Sequence, residues 1–147
     1  MNYQIEEVDE LLELETRDSR NTEFYSLNNH EYTCKCVSVY DGDTITIVVK
    51  PYSLTKFYKY NIRLMGIDTP EIKTNSLNEK NKAILARDFL RDIILNKILK
   101  IRCGKFDKYG RLLGCIYTND GVCVNDLLIR ENLAYDYSGG KKTKFSL

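Results

Sequence analysis

Residues 63–71 read Arg-Leu-Met-Gly-Ile-Asp-Thr-Pro-Glu, and here the chain changes its period. Upstream, apolar and β-branched residues alternate with polar ones, as on strands; downstream, apolar residues recur at three- and four-residue spacings, as on a helix. Pro70 has no N–H for a ladder, so a third strand over 56–65 has to end before it. Arg63, Asp68 and Glu71 crowd the same stretch, which is unlike a buried strand end and points to a site.

Outward from that boundary the elements follow in order. Residues 32–40 and 44–50 alternate with β-branched and aromatic side chains and predict two strands about the Asp41-Gly42 turn, with Pro51 breaking the second. Downstream, Ile84, Leu85, Phe89, Leu90, Ile93 and Ile94 form an apolar stripe opposite Arg87, Asp88, Arg91 and Asp92, which predicts a helix over 78–96. Strands are expected over 98–104 and 111–117, then a turn at Asn119-Asp120-Gly121 and a short helix over 125–131 with Asn125 or a neighbour as its cap. Five short strands with a long helix after the third predict an α+β, mostly β fold: a small barrel of the OB type. An SH3-like barrel or a split sheet fits less well, because the long helix separates strands three and four.

Composition sets the frame. The chain has 147 residues, 43% hydrophobic and 29% charged, which fits one soluble domain able to bury its own core. No apolar run reaches ~18 residues, and the first thirty residues lack the basic-then-apolar layout of a signal peptide. The expectation is an intracellular, cytoplasmic protein with no membrane partner. Five cysteines, an odd number with a single histidine, suit reduced buried thiols better than a disulfide framework or a zinc site.

The net charge of +1 conceals a division: residues 1–30 carry eight acids against two bases (−6), and residues 31–147 thirteen acids against twenty bases (+7). The expected organisation is an acidic extension over 1–30, helical over 4–15, followed by the domain at 31–147. A basic body favours polyanionic partners. The extension reads as a solubilising arm, or as a segment that pairs two chains into a homodimer or sits over the basic groove.

The chemistry gathers at three places. Asp43 opens the second strand and Asp68 closes the third, so on antiparallel neighbours their carboxylates meet at one barrel edge. Together with the carbonyl of Thr69, they suit a hard cation such as Ca²⁺. Glu71 lies close enough to serve as a general base or to orient a water. Arg63 suits bidentate clamping of a phosphate, although strict alternation puts residues 63 and 68 on opposite faces unless the strand bends between them. Residues 107–111, Asp-Lys-Tyr-Gly-Arg, add a second guanidinium at Arg111, a phosphate-binding lysine at Lys108 and a stacking ring at Tyr109.

Through Asp-Gly-Asp-Thr at 41–44, the stretch at 63–71, Asp-Lys-Tyr-Gly-Arg at 107–111 and Val-Asn-Asp-Leu-Leu-Ile-Arg-Glu-Asn-Leu-Ala at 124–134, the chain resembles the staphylococcal nuclease (thermonuclease) family over about residues 31–137. The resemblance implies a five-stranded OB barrel and Ca²⁺-dependent hydrolysis of DNA and RNA that leaves 3′-phosphate ends. It implies Asp43, Asp68 and the Thr69 carbonyl as metal ligands with Asp41 behind them, Glu71, Arg63 and Arg111 as catalytic groups, and Lys108, Tyr109 and either Tyr135 or Tyr137 as substrate contacts. The hairpin over 50–60 is longer than in the bacterial enzymes of that family. Related domains that have lost catalytic residues bind RNA or methylated peptides, so the alternative is an inactive OB-fold nucleic-acid or peptide binding module.

Overall fold

The computed structural model describes residues 3–137. Helix α1 (Tyr3–Glu15) is followed by strands β1 (Glu31–Val39), β2 (Thr44–Val49), β3 (Tyr58–Leu64) and β4 (Ile67–Asp68), then helix α2 (Leu77–Ile94). Strands β5 (Ile98–Phe106) and β6 (Leu112–Tyr117), helix α3 (Val124–Arg130) and strand β7 (Tyr135–Asp136) complete it. Five strands close into a barrel in the order β1-β2-β3-β6-β5, and β4 pairs with β7 beside it. All barrel pairs are antiparallel except β3–β6, which is parallel across the long α2 connection. This is the OB-type arrangement the strand count predicts. Closure pairs both edges of the five-stranded sheet.

Alternation sets the core. Ile45, Ile47 and Val49 of β2, Ile62 and Leu64 of β3, and Leu99 and Ile101 of β5 all point inward and are buried. Cys34, Cys36 and Cys103 fill the same interior, and burial pushes the Cys34 thiol up to about 12 and the Cys36 thiol to about 11. They are small apolar fillers, inert near neutral pH. Before β1, Leu27 is buried in this core and Tyr25 stacks on Tyr52 at 4.8 Å. No helix among the described residues is long and apolar enough to cross a membrane.

Helix α2 starts at Ser76, whose Oγ accepts from the Glu79 N–H at 3.3 Å, a cap that stabilises by about 1 kcal/mol. It ends before Asn96, which takes the left-handed conformation (φ 61°) that asparagine tolerates. The buried face differs from the expected one: Ala83, Ala86, Leu90 and Ile94 are buried, whereas Leu85 is 62% exposed. The cause is the loop over 41–44, which presses on the helix so closely that a Cβ on Gly42 would lie 2.8 Å from the Ala86 Cβ. Ala86 is small enough for that approach, and the buried face turns toward it. Arg91 ties the far end of the helix to the barrel by donating to the Val39 carbonyl at 3.1 Å.

Candidate active site

The site forms where the β1–β2 loop meets the end of β3. Asp43 N–H donates to Asp41 Oδ1 at 3.0 Å, the local bond that makes Asp-x-Asp a tight turn. The Asp43 carbonyl accepts from Leu64 N–H at 2.8 Å and fastens this turn to β3. Thr44 opposes Arg63 across the ladder.

Asp68 does not close the third strand. β3 stops at Leu64, Gly66 turns the chain at φ 78°, and Ile67–Asp68 start a new strand against Tyr135–Asp136. That turn supplies the bend that alternation required. It brings Asp68 back to Arg63, whose Nη2 lies 3.2 Å from Asp68 Oδ1 and 3.5 Å from Asp43 Oδ2. The same guanidinium donates through Nη1 to the Leu64 carbonyl at 2.8 Å. Both acids are nearly enclosed, 7% and 5% exposed, so removing the arginine would strand two buried charges.

Asp43 is held further by Thr69, whose N–H and Oγ1 both donate to Asp43 Oδ2, at 3.0 and 2.8 Å. Asp41 joins the acidic group. Burial, and then the charge of Asp43, push its carboxyl up to about 6. Crowded carboxylates of this kind favour a cation. The donors are all oxygens, which suits a hard divalent ion; with so few protein donors, water and substrate would complete its shell. Among the described residues no group of three or more histidine, cysteine or acidic side chains is arranged to enclose a metal. Asp43, Asp68 and the Thr69 carbonyl supply the oxygens that could hold such an ion at the cavity wall.

A cavity of about 560 Å³ collects the predicted residues: Asp41, Asp43, Asp68, Thr69, Glu71, Arg63, Arg111 and Tyr109 all line it. Arg111 is aimed by Asp107, whose Oδ2 accepts from Arg111 Nε at 2.8 Å while Oδ1 accepts from the N–H groups of Tyr109 and Arg111. Burial acts to raise the Asp107 carboxyl, but these hydrogen bonds outweigh it and hold the group below its ordinary range. An adjoining cavity of about 430 Å³ is lined by Lys108, Tyr109, Met65, Leu113 and Tyr137. The tyrosine rings thereby separate. Tyr137 lines both cavities, whereas Tyr135 lines a third one with Pro70 and Leu133.

Asn125, a candidate cap by sequence, has a different role in the structure. Instead of capping α3, whose N-cap is Cys123, it is 2% exposed. Its Nδ2 donates to the carbonyls of Met65 (2.8 Å) and Gly114 (3.1 Å), and its Oδ1 accepts from Ile116 N–H (3.1 Å). It thus clamps the Met65-Gly66 turn, on which the meeting of Arg63 and Asp68 depends, to β6 and α3. One signal was present: an amide flanking the buried pair Val124 and Leu128 on one helical face.

A family model described as staphylococcal nuclease homologue matches residues 61–146, more than half of the chain. An Escherichia coli protein named an uncharacterized endonuclease is 30% identical over 103 residues, 70% of this chain and 60% of that protein. The thermonuclease of Staphylococcus hyicus is 32% identical over 109 residues, 73% of this chain and 60% of its own length. A staphylococcal-like nuclease of Arabidopsis thaliana is 34% identical over 99 residues, covering 63% of this chain and 28% of that protein. The chain thus spans 60% or less of the length of these relatives. By the family match, and with the barrel in agreement, the chain belongs to the staphylococcal nuclease family.

Proposed function

We propose that the chain is a nuclease that hydrolyses phosphodiester bonds of DNA or RNA with Ca²⁺ as cofactor, leaving 3′-phosphate ends. The observation that carries this reading is one cavity lined by two guanidiniums, two buried aspartates and an exposed glutamate. One guanidinium, Arg63, faces two buried aspartates, and this excess of acid beside a phosphate site suits a metal-assisted reaction better than simple binding of a phosphate.

Asp43 and Asp68 would hold the ion with the Thr69 carbonyl, and Thr69 keeps the Asp43 carboxylate fixed through its N–H and hydroxyl. A bound divalent cation supplies charge neutralisation at the phosphate and lowers the pKa of water. Glu71 accepts a proton from the attacking water, and the oxygen of that water forms the new bond to phosphorus. Arg63 and Arg111 donate to the non-bridging oxygens, where negative charge grows in the transition state. The bond to the 5′-oxygen then breaks, and that oxygen takes a proton from solvent. The 3′ side retains the phosphate.

End-group analysis tests the chemistry. Products of a 5′-labelled single strand should resist 3′ extension until treated with a phosphatase, and chelation of Ca²⁺ should abolish them. Products with 3′-hydroxyl ends, or formed equally with chelator present, would overturn the assignment. Pairing of two chains rests on α1 alone, where Val8, Leu11, Leu12 and Leu14 are each more than half exposed.

A further inference from the structure

We infer that the outer face of the β1-β2-β3 sheet is a track for single-stranded nucleic acid, running from the active site to the tip of the long β2–β3 hairpin; this rests on the nuclease reading and deepens it. Strand register places the track. Across β2 and β3 the outward pairs are Thr44 with Arg63, Thr46 with Asn61, and Val48 with Lys59, while the alternate residues Ile45, Ile47, Val49, Ile62 and Leu64 point into the core. Lys35 of β1 joins the row beside Val48, so two lysines from different strands flank one apolar position. Beyond the ladder Lys50 stands over the ring of Phe57 at 4.9 Å, and that ring is 66% exposed.

Arg63 is therefore the first member of a line of cationic and hydrogen-bonding side chains that ends at an exposed aromatic ring. The opposed outward positions of β2 and β3 hold no acid; Glu31, farther along β1, faces Arg102 of β5. From Thr44 to Lys50 the line extends roughly 20 Å, six residues at strand rise. That length accommodates several nucleotides, on the scale of the ~4–16 that an OB-type barrel engages. Lysines spaced along a strand match the phosphates of a polyanion, and the ring gives an unpaired base a surface to stack on. A duplex keeps its bases stacked on one another and cannot use Phe57, so the occupant is a single strand. On its other side Arg63 opposes Leu113 of β6, which lines the neighbouring cavity with Lys108 and Tyr109. The track thus leads away from that cavity and would hold the part of the strand lying across the scissile phosphate from it.

The test is equilibrium binding of fluorescent oligothymidylates of about 4 and about 16 nucleotides, lengths spanning the usual OB site size. The full chain is used with chelator present, so that binding is read without cleavage. The triple variant Lys50→Ala, Phe57→Ala, Lys59→Ala alters only exposed side chains outside the catalytic cavity, and its fold is checked by its melting temperature. It should bind the long strand about tenfold more weakly than wild type, with a smaller loss on the short strand, which cannot span the track and the cavity together. The slope of log K against log salt should become shallower by about 1.4, two lysines at ~0.7 each. Equal affinity and slope for the two proteins on the long strand would overturn the proposal. Tighter binding to duplex than to single strand, weakened by the same substitutions, would overturn the single-strand assignment. Binding that depends on these residues while Ca²⁺ yields no cleavage would leave the track standing and sink the nuclease reading; Ca²⁺-dependent cleavage of both strands with no long-strand advantage would do the reverse.

Discussion

Asn125→Ala should destabilise the fold by about 3–5 kcal/mol, and the number follows from what each partner loses. The carbonyls of Met65 and Gly114 each give up one hydrogen bond worth about 1 kcal/mol net, and Gly114 keeps its bond from Met65 N–H. The Ile116 N–H is a different case. It is left in a buried position without its acceptor, which costs about 1–3 kcal/mol. Set against a total stability of about 5–15 kcal/mol the loss is large, and the melting temperature should fall by roughly 10 °C. Urea unfolding checks this: the midpoint should fall at unchanged m-value, because the surface exposed on unfolding is the same. Asn125→Asp separates hydrogen bonding from packing. It keeps the shape and the acceptor, but at neutral pH it faces two carbonyls with a carboxylate and should lose at least as much stability. A loss below about 1 kcal/mol in both variants would refute the clamp.

Two further predictions concern groups that act through their neighbours. Asp107→Asn should lower kcat/KM on a single-stranded substrate by about tenfold with little change in melting temperature, because the amide takes over the turn contacts but cannot hold Arg111 by charge. Equal activity would show that Arg111 needs no such hold. Thr69→Val removes the hydroxyl that donates to Asp43 Oδ2 and leaves the backbone N–H in place. Calorimetric titration should show Ca²⁺ affinity reduced by about tenfold, the low end for a residue that orients a metal ligand; unchanged affinity would remove Thr69 from the site's support.

Much of this fold is written in local pattern. Alternation in 44–50 and turn chemistry at Asp41-Gly42 depend on neighbours in sequence, and both elements lie within a residue of the expected limits. What escaped depends on neighbours in space. The buried face of α2 includes Ala86 because the loop at Gly42, far away in sequence, leaves room there only for a small side chain. The two-residue strands β4 and β7 are too short to show a period, yet they fix where Asp68 and Tyr137 lie. The acids and arginines of the site were legible as types in a given order, and the conflict between Arg63 and Asp68 was itself informative. It marked the one place where the strand had to bend. Asn125 satisfies the capping rule by sequence, as any asparagine beside a helix start does whether or not it is buried.

Cleavage of a labelled single-stranded DNA by the purified chain, with Ca²⁺ or with chelator and alongside Glu71→Ala and Arg111→Ala, separates a nuclease from a binding module. A general base contributes about 10²–10⁴-fold and a transition-state hydrogen-bond donor about 10²–10³-fold. Wild type should cut only with Ca²⁺, and both variants should show losses of that size with the fold intact. Wild-type cutting that survives either substitution, or binding of the strand without any cleavage, would contradict the nuclease reading.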